Sequence, residues 1–242
     1  MHALENREFD NYWFRSGTPT FLVEILRKEY KKFDPDRLEA TKTVLQDAFD
    51  VDTIPLISLM FQAGYLTIKE YDRVRAVYML AYPNSEVQQA LQVYLLVAFS
   101  QLEYTTAHYL ATQLTHNIQH YEIEELVMTL RQLFAHVPYH LHMKEEKFYH
   151  ALLQMACTAA GLKAQSEYST SHGRIDLVIY TEIYLYIIEI KFNQPAAAAL
   201  AQIEERRYYE RFLHEGKKII LLGLAFKREP HNFDIDYALK EL

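Results

Sequence analysis

The chain has 242 residues, half of them hydrophobic, and a formal net charge of −7; that supports a substantial core and excludes a disordered chain or a polycationic coat for nucleic acid. A single cysteine, Cys157, excludes an internal disulfide and fits a reducing compartment. Residues 1–10 are polar and mixed in charge, without the pattern of a signal peptide, and the apolar runs are too short for a membrane span, so a cytoplasmic protein with no membrane partner is expected.

The first elements are read from local punctuation. Tyr12, Trp13 and Phe14 form an aromatic cluster suited to core packing. Ser16-Gly-Thr-Pro19 follows, with Thr18 as cap and Pro19 opening a helix over Thr20–Phe33. Asp34-Pro35 breaks that helix and 50–53 is a turn. Ile54–Ala63 reads as a short apolar helix ended by Gly64. Tyr65–Lys69 and Ala76–Tyr82 alternate in polarity around the charged turn Glu70–Arg75, which predicts a hairpin. Helix followed by hairpin suggests a winged-helix-like unit. Its acidity favours protein packing over DNA binding: Met1–Pro138 carries 12 Lys and Arg against 18 Asp and Glu, whereas Tyr139–Leu242 carries 13 against 14.

Pro83-Asn84-Ser85 starts a new unit. Asn84 or Ser85 caps a helix over Glu86–Gln101, and Tyr104–Asn117 and Ile123–Ala135 are two more helices of a connector. His108, His116, His120, His136, His140, His142 and His150 invite a metal reading. His140 and His142 are two apart, however, and no HExxH occurs, so solvated or interfacial histidines are expected. Lys144–Gly161 is the next helix; Phe148, Leu152 and Met155 share a face, and Cys157 is expected to be a buried, inert thiol. Glu145 and Glu146 lie in its first turn, where negative charge suits the helix dipole. Strands are expected over Lys163–Ser169, Ile175–Tyr180 and Leu185–Lys191, a helix over Pro195–His214 closed by Gly216, a strand over Lys218–Phe226 and an edge element over Phe233–Leu239. The expected domains are 1–83, 84–138 and 139–242, and the last is an α/β sandwich.

The chemistry concentrates in Gly173–Lys191, GRIDLVIYTEIYLYIIEIK. Asp176 opens an apolar run and Glu189 stands near its far end, with Lys191 two residues on and therefore on the same strand face. A hairpin turning near Thr181–Tyr184 brings Asp176 towards Glu189. Isolated charges in apolar strands are costly unless paired or metal-bound. Two carboxylates and an amine converging there have the makings of a divalent-metal hydrolytic centre.

Asp176 followed by Glu189-x-Lys191 on the next strand resembles the PD-(D/E)XK nuclease superfamily. The ordered companions narrow the likeness: Glu146-Lys-Phe-Tyr-His before a helix, Ser166-Glu167, Gly173-Arg-Ile-Asp176, Ile188-Glu-Ile-Lys191 and Ala199-Leu-Ala-Gln202-Ile. Together they resemble the nuclease-like C-terminal domain of large bacterial proteins that begin with an AAA-type ATPase. The resemblance implies a restriction-endonuclease-like α-β-β-β-α-β core at the C-terminus, preceded by a mainly helical region. It implies Asp176, Glu189, the Ile190 carbonyl and Glu146 as ligands of Mg²⁺ or Mn²⁺, although the dipole reading of Glu146 stays open. Lys191 would orient or deprotonate the attacking water, Gln202 would hydrogen-bond near it, and Arg174 would contact phosphate. Glu167 points at the metal or caps a strand. Arg206, Arg207 and Arg211 alternate with glutamates and read as a solvated face.

The implied substrate is nucleic acid, DNA foremost. Asn11 through Gly17-Thr-Pro-Thr-Phe, then Phe61-Gln-Ala-Gly-Tyr-Leu and Tyr82-Pro-Asn-Ser-Glu-Val, resembles the end of the ATPase region of the same family. No GxxxxGK[ST] phosphate loop occurs in the chain, so the family's ATP site is expected upstream of Met1. No ATPase activity is expected, and a separate ATPase or other protein is an implied partner. The competing expectation is a non-catalytic interaction module built on the nuclease fold.

Overall fold

The computed structural model describes residues 38–46, 54–100, 102–135, 137, 146–229 and 232–242. The expected helix Thr20–Phe33, the Tyr12–Phe14 cluster, the turn at 50–53, Glu145, His136, His140 and His142 lie outside them. The chain forms two compact units, Met1–Ala98 and Phe99–Leu242.

In the first unit, β1 (Glu39–Thr41), α1 (Lys42–Gln46) and α2 (Leu56–Gln62) precede the hairpin of β2 (Thr67–Asp72) and β3 (Val77–Ala81). The sheet is antiparallel in the order β1-β3-β2. Gly64, at φ +81°, turns the chain from α2 into the hairpin. The hairpin turn is made by the Asp72 carboxylate, which accepts the N–H groups of Val74 and Arg75 at 2.9 and 3.0 Å. Arg75 then pairs with Glu39 on β1. The α3 helix (Ser85–Ser100) crosses the boundary between the units. Of its two candidate caps Asn84 acts, accepting the Val87 N–H at 2.9 Å.

The second unit is built on a five-stranded sheet in sequence order: β4 (Lys163–Thr170), β5 (Gly173–Tyr180), β6 (Tyr184–Phe192), β7 (Lys218–Glu229) and β8 (Asn232–Glu241). All neighbours are antiparallel except β6 and β7, which are parallel. A parallel pair needs a crossover, here α7 (Ala196–Glu205) followed by a 3₁₀ helix (Tyr208–Phe212). The long continuous apolar run of β6 is explained by burial on both faces. Leu185 and Ile187 face α7 and the 3₁₀ helix, in a core with Ile203, Tyr208, Phe212 and Leu221. On the other face lie α4 (Tyr104–His120), α5 (Ile123–Ala135) and α6 (Glu146–Ala159). There Tyr186 donates to the Ile118 carbonyl at 2.7 Å, Tyr149 stacks on Phe192 at 5.0 Å, and Phe134 meets Phe226 at 4.9 Å. Two of the three helices read from sequence as a connector, α4 and α5, lie within Phe99–Leu242.

The expected helix Pro195–His214 is corrected. It ends at Glu205 because Arg207 adopts a left-handed conformation, φ +49°. The break turns Tyr208 and Phe212 into the core, and their burial outweighs the continuity of a charged helix.

Among the described residues no helix is long and apolar enough to cross a membrane.

Candidate metal centre

Asp176 sits where β5 parts from both neighbours. The β4–β5 pairs run Ser166↔Leu177 and then Tyr168↔Ile175, leaving Glu167 and Asp176 facing each other unpaired. The β5–β6 pairs end at Leu177↔Ile188. Glu167 has φ +51°, a conformation that costs a non-glycine residue about 1 kcal/mol and persists only where the surroundings enforce it. Ile175 and Val178, three apart, join the same core, so the strand changes phase at Asp176. The Asp176 carboxylate reaches across to β6 and accepts the Ile190 N–H at 2.8 Å. The side chain thereby supplies an acceptor where the separating strands offer none.

Glu189, opposite Gly223 in the parallel ladder, points to the face covered by α7. A Cβ on Gly223 would lie 2.5 Å from the Ala196 carbonyl oxygen and 2.7 Å from the Leu200 nitrogen. Only glycine admits the helix this close. The approach lets Gln202 of α7 donate to Glu189 Oε2 at 2.8 Å. The other oxygen, Oε1, is buried and no donor among the described residues reaches it; the residue is only 1% exposed. Burial, and then the negative charge of Asp176 beside it, push the Glu189 carboxyl up to about 9, with Lys191 acting in the opposite sense. Lys191 Nζ donates to the Ile190 carbonyl at 3.1 Å.

The structure therefore brings Asp176, Glu189, Lys191, Gln202 and the Ile190 carbonyl together. Glu146 opens α6, but its side chain lies outside the described residues. Arg174 is paired with Glu167 on the exposed side of the β4–β5 hairpin. Of the three arginines read as a solvated face, Arg207 pairs with Glu210 at 3.3 Å and fits that reading. Arg206 instead donates to the His172 carbonyl at 3.0 Å, and Arg211 lies 5.1 Å from the Tyr168 ring.

Sequence reading missed three contributors. His150, grouped with solvated or interfacial histidines, is buried on α6, with Nε2 2.5 Å from the Asp176 carbonyl oxygen. Its signal was present: His150, Leu153 and Cys157 follow the three- and four-residue steps of a buried helix stripe. Tyr208 donates to the Arg174 carbonyl at 3.0 Å. Its hydroxyl also lies 3.0 Å from where a Gly173 side chain would begin, and Gly173 has φ +140°. Gly223 showed only as a glycine inside an apolar strand, which signals close backbone approach.

Among the described residues no three His, Cys, Asp or Glu side chains form a ready metal cage. The donor set is nonetheless suited to a hard divalent cation: two adjacent carboxylates, a strand carbonyl and a buried acceptor that no donor among the described residues reaches. Mg²⁺ takes oxygen ligands and retains waters, so one or two carboxylates suffice.

Fold and site define an α/β unit with a carboxylate pair at parted strands, the restriction-endonuclease-like class. Residues 144–234, which include Asp176, Glu189, Lys191 and Gln202, match the model of the PD-(D/E)XK nuclease superfamily. Nucleases of that superfamily generally use divalent metals and act on nucleic acid. The chain is also 35% identical, over 240 residues, to an uncharacterized protein in the vnfD 5′ region of Azotobacter chroococcum mcd 1; the alignment covers 95% of this chain and 46% of the relative. The chain thus spans about half the length of that curated relative.

Proposed function

We propose that this protein is a divalent-metal-dependent nuclease that hydrolyses phosphodiester bonds in DNA at Asp176, Glu189 and Lys191. The observation that carries the reading is Glu189, buried beside a second carboxylate, with no donor among the described residues reaching its Oε1. A carboxyl buried beside a second one is costly to ionise in a folded protein, and a divalent cation held by the pair would offset that cost. Asp176, Glu189 and the Ile190 carbonyl would hold Mg²⁺ or Mn²⁺, with Glu146 as a further ligand by resemblance. Bound there, the cation lowers the pKa of water and offsets charge developing on phosphorus. Lys191 would orient or help deprotonate the attacking water and offset the phosphate charge. Gln202 fixes Glu189 so that Oε1 stays directed into the site. Arg174 exchanges Glu167 for a substrate phosphate. The protein acts in the cytoplasm and, by resemblance, in association with an AAA-type ATPase.

The test is cleavage of single- and double-stranded DNA and RNA with Mg²⁺, Mn²⁺ or chelator, using wild type, Asp176→Ala and Lys191→Ala. Metal-dependent DNA cleavage abolished by both substitutions is expected. Cleavage that persists in Asp176→Ala would remove the assignment.

A second reading, a non-catalytic interaction module, draws on the state of the surface cations. Arg174, Arg207, Lys218, Lys227 and Lys240 each sit beside a carboxylate, which leaves them poorly disposed towards phosphate. Folded wild type that binds metal yet cuts none of these substrates would favour it.

A further inference from the structure

We propose that His150 is the positioning residue for Asp176: its imidazole substitutes for a strand partner at the Asp176 carbonyl and so holds the sheet open where the two carboxylates meet. The inference rests on the metal reading of that site. Asp176 pairs with neither β4 nor β6, and a carbonyl inside a sheet without a ladder partner must find another donor. His150 Nε2, at 2.5 Å, is that donor. Because a carbonyl only accepts, Nε2 carries the hydrogen. The ring's other nitrogen lies 3.7 Å from Glu167 Oε1, so one side chain from α6 meets both members of the opened pair.

The consequence reaches the site through the backbone. With its carbonyl satisfied from the helix side, Asp176 is free to turn its carboxylate across to the Ile190 N–H. Remove the imidazole and the way to satisfy that carbonyl is to close the ladder against Glu167. Closing it restores strand alternation at Asp176 and draws its carboxylate off the Ile190 N–H. Glu167, held at φ +51°, is the residue that would relax. His150 does not touch the reacting atoms; it sets where Asp176 can be.

The test compares full-length wild type with His150→Phe, which fills the space without a donor, and His150→Gln, whose amide nitrogen replaces Nε2. Three quantities are read: hydrogen exchange of the Ile190 amide by NMR, Mn²⁺ affinity by calorimetry, and kcat against KM for cleavage. His150→Phe is expected to speed Ile190 exchange at least tenfold and to weaken Mn²⁺ binding about 10–100-fold. It is expected to lower kcat with KM little changed, and His150→Gln is expected to restore all three. A folded His150→Phe with wild-type Ile190 protection and Mn²⁺ affinity overturns the inference. Should His150→Phe not fold, His150→Asn, too short to reach, is compared with His150→Gln, and equal behaviour of the two overturns it. If wild type neither binds Mn²⁺ nor cleaves, the nuclease reading fails, while Ile190 exchange still decides the role of His150.

Discussion

Glu189 is where burial and chemistry conflict. Its ordinary pKa of 4.5 is raised to about 9 in the fold. Between those values the folded apoprotein holds a proton that the unfolded chain has released. This contribution to stability is therefore complete below about pH 4.5 and is lost as pH rises through about 9, by at most ~1.4 kcal/mol per pH unit for one proton. Glu189→Gln needs no proton uptake on folding, so thermal denaturation of the apoprotein at pH 8 should give a higher Tm than wild type, with a flatter pH dependence. The same substitution should abolish any rise in Tm on adding Mn²⁺. A cation must displace the proton, so wild-type Mn²⁺ affinity should climb with pH between 6 and 8, by up to about tenfold per unit; calorimetry at several pH values reads this directly. Lys191 carries a different burden. Lys191→Ala should lower the cleavage rate by about 10²-fold or more while Mn²⁺ binding persists.

At the scale of elements, the site depends on how closely α7 lies on β7. Gly223→Ala puts a methyl against the backbone of Ala196 and Leu200, where no flexible side chain can give way. Overpacking of this kind costs about 1–3 kcal/mol. Urea unfolding should show that loss, and cleavage should fall as Gln202 is carried away from Glu189. The strands were legible because β-branched and aromatic runs bounded by turn residues have few other solutions. The charged trio was legible because acid and amine at a two-residue step in an apolar strand demand a partner. The break at Arg207 was not legible. Pro195–His214 holds no glycine or proline after its first residue, and the tertiary burial of Tyr208 and Phe212 ends the helix early. The role of His150 was hidden for a related reason: its partner is a backbone carbonyl, and a main-chain acceptor left open by a parted ladder leaves no mark in a sequence.

At the scale of the molecule, charge sets the terms on which a polyanion is met. The chain carries −7 overall, and Arg174, Arg207, Lys218, Lys227 and Lys240 are engaged by carboxylates. Few counterions are then released on binding, so DNA affinity followed by fluorescence anisotropy should fall with salt at a log–log slope shallower than about −3. A steep slope would reveal a cationic surface that these ion pairs do not suggest. Catalysis, in this account, needs only the second unit's sheet, α6 and α7 to hold two carboxylates and a lysine around one cation. The most direct measurement is calorimetric titration of Mn²⁺ into wild type and Asp176→Ala at pH 8. The account predicts saturable binding by wild type, lost in Asp176→Ala. Folded wild type that gives no binding heat at millimolar Mn²⁺ would contradict it.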